Sequence, residues 1–123
     1  GYIRAGIPLD AVEEILDYEE VDPAMAAKGD LFALRVKGDS MEPRIREGDV
    51  IICAETPCVE SGTVAVVLVN GNEATVKKVV KHKEGLSLVA FNPAYSPMFY
   101  TNEECETLPV RIVGRVIELR GKF

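Results

Sequence analysis

The sequence predicts a mostly β fold of strongly bent antiparallel sheets, with one or two short helical turns, and three observations predict it. Short runs rich in β-branched residues recur at 31–37, 48–54, 63–70, 73–80, 86–91 and 109–119, each bounded by Gly, Pro, Asn or charged residues. Asn70-Gly71 separates "VAVVLV" from "EATVKKVV", and that dipeptide supplies the positive φ at both turn positions of a tight hairpin. The segment "HKEG" from His82 to Gly85 closes a second hairpin.

Length and composition bound the rest. A chain of 123 residues buries one real core and makes one domain. With 47% apolar and 28% charged residues it has the balance of a globular chain, which argues against disorder. The net charge of −6 leaves no general basic field, so these residues are not expected to bind nucleic acid directly. The longest apolar run, "VAVVLV", is far shorter than the roughly 18 residues that span a bilayer, so no membrane contact is expected. The opening "GYIRAGIPLD" lacks the apolar stretch of a secretory signal, and the expectation is a cytoplasmic protein. Cys53, Cys58 and Cys105 fit no zinc spacing, and His82 is the only histidine. We expect reduced thiols in packing roles, no metal site and no cofactor.

Taken in order, residues 1–9 read as the end of a linker, broken by Gly1, Gly6 and Pro8. In "LDAVEEILDYEEVD", Val12, Ile15 and Leu16 fit a helical face, whereas Ile15 to Val21 fit an edge strand, and both readings stand. Asp22 can cap a short helix with Pro23 at its first position. "LFALRV" and "DVIICA" are strands on either side of "GDSMEP", which places Ser40 in the turn between them. "FNPAYSPMFY" reads as a loop packed over the core or as a partner surface. "PVRIVGRVIELRGKF" alternates apolar residues and serves either as a dimer contact or as an intramolecular core strand.

Ser40 is the candidate nucleophile, and it needs a base. His82 sits among charges in a turn, where a solvated side chain is the simpler reading, so the usual Ser-His arrangement is disfavoured. The remaining option is a lysine made neutral by burial. "ATVKKVV" offers Lys77, on one face with Thr75 and Val79, and Lys78, on the other with Val76 and Val80. Pattern alone does not choose between them, and two solvated strand lysines remain an open reading.

"GDSMEP" followed 37 positions later by "TVK", with Ala5-Gly6 upstream in "RAGIP", resembles the serine and lysine boxes of the LexA-type self-cleaving repressors. That family includes lambdoid phage repressors and the UmuD polymerase-accessory proteins. "VDPAM", "FALRVKGDSM" and "PVRIVGRVIEL" are similar to other stretches of the family, so the resemblance covers nearly the whole chain. It implies the bent sheets of the LexA C-terminal and signal-peptidase-like fold. Carried over by position, it implies Ser40 as nucleophile, Lys77 as general base, the backbone N–H groups of Asp39 and Ser40 as oxyanion donors and Ala5-Gly6 as the bond cut.

The resemblance further implies a linker end at 1–9 carrying the cleavage site and a peptidase and dimerisation domain at 10–123. The family's helix-turn-helix domain is absent from this chain, which is most like part of a phage-type transcriptional regulator. Operator DNA would be reached only through that missing domain. A homodimer, and induction by RecA on single-stranded DNA as in the SOS response or by another inducer, are the partners implied. Two other readings stay open: a UmuD-like accessory subunit, and a non-cleaving dimerisation and effector-sensing module. Type I signal peptidases share the Ser-Lys chemistry and an "SMEP"-like box but are membrane-anchored. A GDSL-type esterase is disfavoured, since no histidine follows position 82.

Overall fold

A computed structural model describes residues 12–16, 30–71 and 73–121, and their strands join into one sheet. In chain order these are β1 (Val12–Leu16), β2 (Leu31–Val36), β3 (Val50–Glu55), β4 (Thr63–Val69), β5 (Glu73–Lys81), β6 (Gly85–Val89), β7 (Met98–Thr101) and β8 (Val110–Arg120). A single short helix among the described residues, α1 (Asn102–Thr107), precedes β8. The sheet is antiparallel at every pairing, in the order β1-β2-β3-β8-β4-β5-β6-β7.

The expected hairpins form. Asn70 and Gly71 take φ values of 56° and 71°, which lets β4 and β5 pair from Val69↔Glu73 to Thr63↔Val79. At the second turn His82 N–H donates to the Gly85 carbonyl at 2.8 Å. The bend comes from β8. Its ladder with β3 steps from Ile52↔Glu118 to Cys53↔Val116, and its ladder with β4 from Val66↔Gly114 to Val67↔Ile112. Ile117 and Val113 are therefore extra residues, and each such bulge turns the strand and strengthens its twist.

Bending closes the sheet over a central core. Phe32, Leu34 and Val36 of β2, Ile51 and Cys53 of β3, Val66 and Leu68 of β4 and Val76 of β5 meet there with Met41 and Ile45. The opposite face of the β4 half buries Ala65, Val67 and Val79 against Leu88 and Val110. On the opposite face of the β2–β3 half, Ala33 and Ile52 pack with Leu31, Val50 and Ile117. Strand β4 is thus covered on both faces, which is why "VAVVLV" lacks the apolar-polar alternation of a half-exposed strand.

Several expectations sharpen. Val12, Ile15 and Leu16, read as a helical face, instead lie in an edge strand at 12–16 against β2; of the edge strand read for Ile15 to Val21, only Ile15 and Leu16 fall within it, and 17–21 lie outside the described residues, as does the Asp22-Pro23 helix start. The strand expected at 86–91 is Gly85–Val89, and that expected at 48–54 is Val50–Glu55. Neither β7 nor α1 was anticipated, although "TNEE" carries a capping box. Thr101 Oγ1 accepts from Glu104 N–H at 3.1 Å, and Thr101 N–H donates back to Glu104 Oε1 at 3.0 Å. "PVRIVGRVIEL" is a core strand between β3 and β4, the second of its two readings. Among the described residues, no helix is long and apolar enough to cross a membrane.

Candidate active site

The turn between β2 and β3 carries Ser40. Val36 N–H donates to Asp49 O, and Gly48 N–H to Val36 O, both at 2.8 Å, closing the mouth of the loop. Gly38 enters the turn at φ 85°, a conformation strained for any residue with a Cβ, and its N–H donates to Glu47 Oε1 at 3.0 Å. Immediately after Ser40 the chain plunges inward. Met41 and Ile45 are 2% and 4% exposed in the central core, joined by a 2.9 Å bond from Ile45 N–H to Met41 O. The serine is therefore fixed between an exposed aspartate and a buried methionine.

Lys77 comes from the middle of β5, opposite Ala65 of β4. The β5–β6 ladder begins one residue later, at Lys78↔Val89, so β6 leaves the sheet beside Lys77. At 8% exposure Lys77 is the one buried charged side chain among the described residues. Its Nζ lies 3.0 Å from Ser40 Oγ, 2.7 Å from Thr75 Oγ1 and 3.2 Å from the Val76 carbonyl. No carboxylate is among those partners, and burial pushes the amine's pKa below its ordinary value.

Those three partners can accept all three hydrogens of the ammonium, and they leave a consistent arrangement for the neutral amine as well. Once neutral, as burial favours, the –NH₂ group has two hydrogens for Thr75 Oγ1 and Val76 O and one lone pair that can accept from the Ser40 hydroxyl. The arrangement can abstract a proton from Ser40 without a histidine. Of the two lysines that pattern left open, Lys77 meets Ser40, while the half-buried Lys78 points to the other face and lines a cleft of about 470 Å³ with Phe91 and Val116.

His82 is exposed and bonded to Ser87 Oγ at 2.9 Å, in keeping with a solvated turn residue. Cys53 is fully buried and its thiol's pKa is pushed up by burial, Cys105 is partly buried, and Cys58 is exposed, so the expected packing role does not extend to Cys58. Ala5 and Gly6 lie outside the described residues. Thr75 was placed on the Lys77 face without a role, and its signal was the spacing of a hydroxyl two residues before a strand lysine. Asn92 was missed altogether. Its backbone N–H donates to Ser40 O and its side-chain Nδ2 to Asp39 O, both at 3.0 Å, across a separation that no local pattern reports.

With this geometry in view, comparison with known proteins places the chain. Residues 1–117 match the model of the Peptidase S24-like family. A LexA repressor from Ruegeria sp. (strain TM1040) is 36% identical over 121 residues, covering 97% of this chain and 48% of that protein. A LexA repressor from Syntrophobacter fumaroxidans (strain DSM 10017 / MPOB) is 42% identical over 124 residues, covering all of this chain and 57% of that protein. The chain spans about half the length of these curated relatives. The bent antiparallel sheet and the family match agree, and the chain belongs to the Peptidase S24-like family, as a domain of the LexA type.

Proposed function

We propose that this chain is the self-cleaving peptidase and dimerisation domain of a LexA-like transcriptional repressor, with Ser40 cutting the Ala5-Gly6 bond and Lys77 as general base. The observation that carries the reading is the 3.0 Å approach of a buried amine to the Ser40 hydroxyl.

In the forward step Ser40 Oγ attacks the Ala5 carbonyl carbon while Lys77 Nζ takes the hydroxyl proton. The N–H groups of Asp39 and Ser40 hold the oxyanion. Collapse breaks the Ala5–Gly6 C–N bond, the Gly6 nitrogen leaves with the proton from Lys77, and residues 1–5 remain as an ester on Ser40. Water then attacks the ester, Lys77 takes the water's proton, and Ser40 Oγ leaves with it, restoring the starting state. Only neutral Lys77 can begin the cycle, so depression of its pKa by burial raises the active fraction at physiological pH.

Because the bond belongs to the same chain, positioning replaces substrate capture, and the rate follows how often residues 3–9 dock beside Ser40. Docking would also desolvate Lys77 further. An inducer such as a RecA filament on single-stranded DNA, as in an SOS response, would act by shifting that docking equilibrium. In a whole repressor, working in the cytoplasm on operator DNA, two helix-turn-helix heads are joined through a homodimer. Cutting the linker removes the avidity that the dimer gives them. That both relatives are LexA repressors favours a repressor over a polymerase-accessory subunit.

The test is intact-mass spectrometry of the chain incubated from neutral to strongly alkaline pH, beside Ser40→Ala, Lys77→Ala and Lys78→Ala. Loss of residues 1–5 that accelerates with pH, and that the Ser40 and Lys77 changes abolish while Lys78→Ala does not, is expected. A mass that stays intact at every pH would leave the non-cleaving dimerisation module as the better reading.

A further inference from the structure

We propose that Asn92 is a positioning residue that aims the Ser40 N–H at the oxyanion by gripping the carbonyl on the other side of the same peptide group. The inference rests on the self-cleavage reading above. Asn92 lies in the loop that follows β6, and its two donors reach two successive carbonyls of the nucleophile turn. Nδ2 donates to Asp39 O and the backbone N–H to Ser40 O, each at 3.0 Å.

A trans peptide is planar, with its C=O and N–H pointing in opposite directions. Holding Asp39 O toward Asn92 therefore turns the Ser40 N–H directly away from Asn92. The same bond draws electron density toward the carbonyl and makes that N–H a stronger donor. Asp39 O also accepts from Glu42 N–H at 3.1 Å, so this peptide group is held from inside the turn and from outside it.

Asparagine suits the task because its other end is also committed. Oδ1 accepts from Ala94 N–H at 2.9 Å, an Asx turn across Pro93 that points Nδ2 at the turn. Two further contacts tie the same loop to the same turn. The Tyr95 hydroxyl donates to Asp39 Oδ1, and the Arg44 guanidinium sits 5.3 Å from the centre of the Phe91 ring. Ser40 is thus anchored from inside by Met41 and braced from outside by residues 91–95.

The experiment compares the parent chain with Asn92→Ala and Asn92→Asp. The pH–rate profile of self-cleavage, read by intact mass, is expected to show an alkaline plateau at least tenfold lower in Asn92→Ala, with the half-maximal pH unchanged because Thr75 and Val76 still hold Lys77. An unchanged plateau overturns the proposal. So does a half-maximal pH that climbs toward that of an ordinary lysine, which would mean water entering through a loosened fold.

A second readout needs no turnover. Hydrogen exchange at Glu42 N–H is expected to rise at least tenfold in both variants, while the Ala33 and Ile52 amides keep their protection. Asn92→Asp retains the acceptor for Ala94 N–H and replaces the donor by a carboxylate oxygen, which cannot hold the Asp39 carbonyl, so it reports the clamp even if Asn92→Ala fails to fold. Parent-like protection at Glu42 in Asn92→Asp overturns the proposal. If the parent chain is never cut, the self-cleavage reading falls by itself, and the exchange result decides whether the clamp exists.

Discussion

Thr75 Oγ1 stands 2.7 Å from Lys77 Nζ, nearer than the Ser40 hydroxyl at 3.0 Å. The two side chains leave the same face of β5, so strand geometry brings the threonine to the amine. When the amine is neutral, Thr75 and the Val76 carbonyl can take its two hydrogens and leave the lone pair for Ser40.

Thr75→Val tests that arrangement. The ammonium loses an acceptor, so the half-maximal pH of self-cleavage is expected to move down. The freed amine can rotate its lone pair away from Ser40, so the plateau is expected to fall about tenfold, the loss of roughly one hydrogen bond's worth of orientation. Thr75→Ser should restore both. A pH–rate series by intact mass checks it, and an unchanged plateau in Thr75→Val would remove Thr75 from the mechanism.

Lys77 also ties stability to pH. Its pKa in the folded chain lies below the 10.5 of an ordinary lysine because burial disfavours the ammonium. Between those two values the unfolded chain binds more protons than the folded one, so stability rises with pH across that window. Below the window the cost of the buried charge is present in full, and above it the cost has gone. The parent chain is therefore expected to gain on Lys77→Met as pH rises from neutral toward 10.5. Urea midpoints of both chains at the two ends of that range measure the gap, and a constant gap would contradict the argument.

Packing at the first bulge of β8 sets a third expectation. A Cβ added to Gly114 would lie 2.6 Å from Phe32 Cζ, so the phenyl ring occupies the space that any other residue would fill. Gly114→Ala should cost about 1–3 kcal/mol, with a melting temperature lower by roughly 5 °C or more. Phe32→Leu should relieve part of that cost, making the double variant more stable than the sum of the single changes. Strict additivity in thermal unfolding would show that the ring is not the obstacle.

The fold was legible where local chemistry fixes it. Asn70-Gly71 and the runs around it dictate a hairpin whatever surrounds them, and the apolar runs on either side of "GDSMEP" place Ser40 in a turn. β7 was hidden because "MFYT" is short and lies at an edge, with Met98 and Phe99 exposed, so no alternation marks it. α1 has no buried residue, which removed the apolar periodicity by which helices are found, although its capping box was there to see. At the site, alternation put Thr75 and Lys77 on one face yet gave both lysines apolar neighbours. Pattern could not choose between them, and only the resemblance to the LexA-type repressors singled out Lys77. Asn92 was beyond reach for a different reason: it acts on the turn 53 residues earlier in the chain, and only the folded sheet brings the two together.

The central place of β8 has a consequence for the order in which the chain becomes competent. Ser40 belongs to the half-sheet of β1, β2 and β3, Lys77 to that of β4 through β7, and among the described residues strand pairing joins the halves only through β8. That strand is the last of those described, and its pairings with β3 and β4 are long-range contacts of the kind that form slowly. The Ser40–Lys77 contact thus relies on a strand that follows both residues in the chain. The proposed cleavage therefore depends on a completed sheet, since among the described residues one strand's pairing unites the two halves.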